Sequence, residues 1–381
     1  MKRLIILIPF LLFTILHFTN AQDSLFQGGI SIAQTFHNIG IQFDFKGDDN
    51  LNSTMELIYR KVGDEDFKKG SMSIRAHEGI LVDGQNLDRN YHAASAMHLE
   101  DDQFYELVVN IMDPDGGTTT QSVTLSTRKI PEPVMENIRY VTGNGGGSGT
   151  ESDPFLGLNA ASNAAQRGDH FIVAPGIYSP FEISTSEVSF KSQELHGAII
   201  DGANTDRGII TLGSFDRSIG SIFIDGFIIQ NGNWAIDAQN TRWITVRNNI
   251  IQDVDNGYVN RREEGLEEYQ YITNNVFKGR TAWPNSGIPG ERGIDIRGRF
   301  NVISCNTIEN FGDGISTDGP PYEKSIALDI HNNDIKNIVD DHIEVDGMIS
   351  NTRIYNNRCF NARAGISVAP VFGGPVYIFR N

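Results

Sequence analysis

Four short stretches decide the fold: VRNN (246–249), ITNN (272–275), IHNN (330–333) and IYNN (354–357). Each ends a β-branched run on an asparagine. The series Asn249, Asn275, Asn306, Asn333, Asn357, Asn381 advances in steps of 26, 31, 27, 24 and 24 residues. Gly202 and Gly226, in IIDG and FIDG, extend it upstream with steps of 24 and 23. A strand-and-turn unit recurring every 20–50 residues or so means a solenoid. Glycine-bounded β-branched runs exclude a helical one, so a parallel β-helix remains, its coils stacked at about 4.8 Å. Asparagine recurs because stacked side-chain amides can hydrogen-bond along the axis of a buried turn.

Four coils align on a second family of strands: ERGIDIRG (291–298), GDGISTDG (312–319), DDHIEVDG (340–347) and RAGISVAP (363–370). Ile294, Ile315, Ile343 and Ile366 form one inward column, and Ile296, Thr317, Val345 and Val368 the next. Alternation turns Asp295, Ser316, Glu344 and Ser367 outward, then Arg297, Asp318, Asp346 and Ala369. Arg292, Asp313, Asp341 and Ala364 precede the strand, with Asp340 and Arg363 before two of them. Asp313, Asp318, Asp340, Asp341, Glu344 and Asp346 therefore gather on one face of two adjacent coils. Like charges about 5 Å apart raise one another's pKa and cost stability, which points to chemistry. Asp-Gly pairs are also turn formers, as at Asp115, Asp201 and Asp225, so Asp318 and Asp346 read equally as turn residues. His342 stands where the other three coils carry glycine.

Residues 22–130 are read as an all-β sandwich, from ISIAQ (30–34), IGIQFDF (39–45), MELIYRKV (55–62), YELVVNI (105–111) and SVTLST (122–127), separated by turns such as DPDGG (113–117). KIPEPVMEN (129–137) is an interdomain linker, and residues 131–381 are the β-helix. Asp153-Pro154 is expected to open a short helix, which Gly168 stops. The glycine-rich GNGGGSGTES (143–152) lacks the Lys-Ser/Thr of a phosphate cradle and is read as a flexible loop. RREEGLEE (261–268) is read as a solvated loop. PVYIFRN (375–381) closes on an uncapped coil, so the solenoid is expected to continue beyond Asn381.

Lys2 and Arg3, the apolar run LIILIPFLLFTIL and the small residue Ala21 make residues 1–21 a signal peptide. A membrane anchor is the competing reading, opposed by the short run and Pro9. The mature chain is then secreted, periplasmic or at the cell surface, with no membrane span, and is taken as a monomer. Across the whole chain 31 Lys plus Arg stand against 48 Asp plus Glu, a net charge of −17. That balance excludes nucleic acid as a partner. Cys305 and Cys359, two coils apart, are too distant for a disulfide. His170, His196 and His331 have no metal-ligand spacing.

Residues 137–381 resemble the pectate-lyase-like superfamily of right-handed parallel β-helices, whose helix-capped first coil is similar to SDPFLGLNAASNAAQRGDHFIVAPGIY. GDGI, DDHIEV and GISVAP further resemble the motif order of polygalacturonase-type glycoside hydrolases, N-T-D-G, D-D and G-H-G-I-S. That resemblance implies catalytic roles for Asp313, Asp340 and Asp341, one of the pair as general acid and the other two carboxylates holding the attacking water. Gly312 departs from the family threonine, and Arg363 or Ala364 stands where its histidine would be. Around the three acids, Asp295, Arg297, Asp318, His342, Glu344 and Arg363 are read as substrate contacts, with Trp283 able to stack on a sugar or to pack on the solenoid wall. Independently, glycoside cleavage needs one acid for the leaving oxygen and a base for water, and a groove along a solenoid suits a polysaccharide. Hydrolysis requires no cofactor. The alternatives are a Ca²⁺-dependent lyase, with the acids holding Ca²⁺ and Arg297 or Arg363 as base, and a non-catalytic carbohydrate-binding or adhesive solenoid. The N-terminal segment resembles a fibronectin type III domain: Leu99 and Tyr105 match its Leu-x5-Tyr corner, VVNIMDPDGGTTTQSVTLST its last hairpin and Tyr59 its strand C aromatic, with Phe43 in place of its tryptophan.

Overall fold

The computed structural model describes residues 22–381 except 80, 83–84, 87–88, 215, 261–266, 288, 318–324, 370 and 372. The leader at 1–21, Asp318 and most of RREEGLEE lie outside the described residues. The alternating runs near the N-terminus pair antiparallel into two four-stranded sheets. One holds Phe26–Gln34, Asn38–Lys46, Asn90–Met97 and Ile74–Ala76. The other holds Thr119–Ser126, Phe104–Met112, Thr54–Lys61 and Lys68–Lys69. Period-2 patterning sends Ile39, Ile41 and Phe43 from one sheet and Leu57, Leu107 and Val109 from the other into a shared core. Tyr105, buried beside Leu99, receives the Glu100 N–H on its hydroxyl at 2.9 Å and pins the corner between strands.

From Asn137 onward the strands are parallel, one coil above another. Eleven form one sheet, ending at Val376–Phe379, and thirteen form the other. This is a right-handed parallel β-helix, the hand that parallel crossovers take. Its interior is one continuous apolar column from Val141 to Ile354. The helix that caps the first coil runs Gly157–Ala164 and buries Leu158 and Ala161. It starts later than Asp153-Pro154 suggests, because Phe155–Leu156 first pair in parallel with Val141 and Thr142.

The asparagine series is a hydrogen-bonded ladder. Each Asn Oδ1 accepts both the backbone N–H and the Nδ2 of the preceding asparagine at 2.9–3.1 Å, from Asn249 to Asn381. The residue before each rung, Asn248, Asn274, Cys305, Asn332, Asn356 or Arg380, takes a left-handed φ of 55–58°. The upstream glycines sit elsewhere. Gly226 donates its N–H to Arg247 O and precedes Phe227, whose N–H caps the ladder on Asn249 Oδ1. Gly202 lies inside the strand Ala198–Leu212. Asn306→Ala should orphan the buried N–H of Asn275 and remove one of the acceptors of its Nδ2. At about 1–3 kcal/mol per buried unmatched group, a loss on the order of 2 kcal/mol is expected in thermal or urea unfolding. Asn356→Ala, at an exposed left-handed position, should cost about 1 kcal/mol of backbone strain. Equal losses would show that the amide ladder does not set the choice of asparagine.

No helix among the described residues is long and apolar enough to cross a membrane. Cys305 and Cys359 are free thiols.

Candidate functional site

The acidic face is built by four parallel strands, Arg292–Ile296, Asp313–Ser316, Asp341–Glu344 and Ala364–Ser367. Ile294 pairs with Ile315, Ile315 with Ile343 and Ile343 with Ile366, which fixes the inward column and the register of the charged residues beside it. Asp340 N–H donates to Gly312 O at 2.8 Å, and the N–H groups of Arg363 and Ala364 donate to Asp340 O, so the turn holding the acids is stitched on both sides. One oxygen from each of Asp313, Asp340 and Asp341 lies within 4.8 Å of the other two.

Their surroundings differ. Asp313 is buried, accepts the Asp341 N–H at 3.2 Å on Oδ1 and meets Arg292 Nε at 3.4 Å on Oδ2. Burial nevertheless pushes its carboxyl above the ordinary carboxylate range. Asp341 is half-buried, and burial first, then the charges of Asp340, Asp313 and Asp346, raise it to about 6. Asp340 forms an ion pair with Arg363 at 3.4 Å. Arg363 Nη2 also donates to Gly287 O at 3.2 Å, so the loop over residues 280–291 reaches the last coil and walls the acids. The same loop receives the Gly312 and Asp313 N–H groups on Glu291 O at 2.8 and 3.1 Å. A Cβ on residue 312 would stand 2.1 Å from Pro289 O, which is why glycine occupies that place. Trp283 is half-buried in this loop.

Several residues of this face are buried or held by neighbouring groups. Asp295 is fully buried, 3.2 Å from Arg292 and 4.0 Å from the largely buried Arg297. An outward carboxylate on a stacked sheet is costly to desolvate alone, and arginines of its own coil fold onto it. Glu344 accepts the Ser316 hydroxyl at 2.6 Å and lies 3.7 Å from Arg292. Asp346 accepts the Ser367 hydroxyl and the Ala369 N–H, as a turn residue does. His342 is 4% exposed. Its column faces the interior, since a Cβ on Gly314 would stand 2.7 Å from Ile335 Cγ2. Burial lowers its pKa, opposed by the Phe360 and Ala364 backbone. Arg363 is the expected contact seen to meet one of the three acids, Asp340. Arg292 is the residue the motifs do not announce. It bridges Asp295, Asp313 and Glu344 and is held firmly protonated by them against its own burial. Its place in the Asp313 column was the available signal.

Three carboxylate oxygens this close can share one proton, hold one water or ligate one cation. Ca²⁺ takes carboxylate oxygens at about 2.3–2.6 Å, so oxygens up to roughly 5 Å apart can reach a common ion.

No family model matches the chain, and neither does any curated protein. Solved structures similar to it include a family 28 exopolygalacturonase of Yersinia enterocolitica, at 10% identity over 93% of this chain and 100% of that one, TM-score 0.21. A PL6 alginate lyase in complex with a trisaccharide is similar at 15% identity over 59% of this chain and 61% of that one, TM-score 0.25. The purple acid phosphatase PPD1 of yellow lupin is similar at 9% identity over 40% and 29%, TM-score 0.22.

Proposed function

We propose that the protein is an exported glycoside hydrolase acting on a polysaccharide. The convergence of Asp313, Asp340 and Asp341 in unlike environments carries this reading. Two acids with opposite tasks need surroundings that separate their proton affinities. Asp341, raised to about 6, is suited to give its proton to the leaving glycosidic oxygen. Asp340, in its ion pair with Arg363, takes the proton of the attacking water, and Asp313 orients that water. Arg292 positions Asp313. The N-terminal sheets, with their Tyr105 corner, are read as a fibronectin type III-like module.

The test is sugar release from a panel of plant and algal polysaccharides, with and without chelator. New reducing ends, undiminished by chelator, are the expected result. The spacing of the three oxygens favours one second reading, a lyase with a Ca²⁺ at the acids and Arg363 near enough to serve as base. Products with an unsaturated ring end, lost on chelation, would replace the hydrolase assignment with that one.

A further inference from the structure

Away from the acids, the solenoid carries a short ladder of rings. Near the start of the strand Thr241–Arg247 and in register on neighbouring coils, an outward column takes left-handed backbone: Ser221, Trp243, Tyr269 and Phe300, with φ of 60, 57, 61 and 61°. Bridges joining Arg242 to Glu268 and Glu268 to Arg299 fix that alignment. Trp243 stacks on Tyr269 at 4.0 Å and 8°, and Tyr269 on Phe300 at 5.0 Å and 26°. From the N-terminal sandwich, the Arg128 guanidinium lies 4.3 Å from the Tyr269 centroid and 4.8 Å from that of Trp243. Being nearer Tyr269, it sits beside the pair, not over the outer indole face. Its Nη1 donates to Phe300 O at 2.9 Å and anchors the stack.

The outer face of Trp243 looks along the axis toward the preceding coil. Gly220 pairs with Arg242 and Ile222 with Ile244, so Ser221 alone lies in line with the indole. One coil farther stands Glu187, ion-paired with Arg167. Two coil steps, roughly 9.6 Å, separate Glu187 from Trp243. The indole is 43% exposed. The slot therefore has a flat aromatic floor in Trp243, the small Ser221 next in register, the charged Glu187–Arg167 pair one coil beyond it, and Arg242 adjacent in the chain.

We propose that this slot binds a pyranoside ring of a polysaccharide, as a second attachment point separate from the acids. The C–H face of a pyranoside is weakly positive and fits the negative face of an indole, and its equatorial hydroxyls reach sideways to charged groups. A protein partner would need an apolar patch surrounding the ring, and the neighbours here are Ser221, Arg242, Glu187 and Arg167. The choice of polysaccharide as ligand rests on the reading in the preceding subsection.

The test uses the full chain in the Asp341→Asn background, so that polymer is held without being cut. Retention on the same polysaccharide panel is measured by affinity electrophoresis, with and without Trp243→Ala. About tenfold weaker retention is expected, the order of one aromatic stacking contact. Trp243→Phe keeps a ring on Tyr269, guards against misfolding of the alanine variant and should retain intermediate binding. Equal retention by all three, or no retention of any polysaccharide by the parent, overturns the proposal. The readout is binding alone, so full turnover by Asp341→Asn would sink the catalytic assignment and leave this one standing.

Discussion

Asp341→Asn is expected to lower turnover by about 10²–10⁴-fold, the usual effect of losing a general acid. The amide has the shape of the acid and no proton to give. Fold should be kept, because Asp341 meets repulsion from Asp340, Asp313 and Asp346 when ionised. The sign of the pH dependence follows from its raised pKa. The native state holds this proton up to about pH 6, while an unfolded Asp releases it near 4. Between those values the native state binds more protons, so this group's contribution to stability falls as pH rises. Above pH 6 the asparagine variant should be more stable than the parent, and below about pH 4 the difference should vanish. The parent's turnover should also decline above pH 6, as the acid loses its proton, and this limb should disappear from the variant's residual rate. Unchanged turnover in Asp341→Asn, or an unfolded variant, would make the acids structural and favour a binding solenoid.

What could be read from the sequence was whatever repeats. A buried amide that must meet its own kind one coil away requires the same residue at each step, so the ladder from Asn249 to Asn381 announces itself. The Ile294–Ile315–Ile343–Ile366 column was legible for the same reason, and it placed Asp313 and Asp341 beside one another. Periodicity tells which face a side chain takes and says nothing of what lies over it. Asp295 and Glu344 occupy outward strand positions as alternation places them, yet Arg292 folds across both and takes them away from solvent. His342 breaks a glycine column, and a glycine column does not tell an outward ligand from a ring turned inward. Gly202 and Gly226 show the limit of spacing alone: both fall near the right interval, and neither occupies a rung.

The meeting of sandwich and solenoid repeats nothing, and it supplies the second large expected effect. Asp329 and Arg353, on adjacent coils, are ion-paired and almost wholly buried. The sandwich completes them. Thr35 Oγ1 and Asn38 Nδ2 donate to Asp329 Oδ2 at 2.5 and 2.8 Å, and Arg353 Nη1 donates to Ser95 Oγ at 3.2 Å. Ser95 in turn donates to Asn351 Oδ1, and Tyr91 donates to Gly374 O. These partners lie about 250–310 residues apart in the chain and share no pattern. Arg353→Met should leave the Asp329 charge buried without its cation and cost about 3–5 kcal/mol. Asp329→Asn combined with Arg353→Met removes both charges and keeps an acceptor oxygen for Thr35 and Asn38, so much of that loss should be recovered. Calorimetry should show the parent unfolding in one transition, because the sandwich holds the polar atoms of the solenoid face. A parent that melts in two steps, with Arg353→Met shifting neither, would mean that the N-terminal unit is a tethered spacer after all. A single step, moved down by Arg353→Met and restored in the double variant, makes the sandwich a structural part of the solenoid wall. It would also hold Arg128 against the Tyr269 ring for the same reason, as one rigid body.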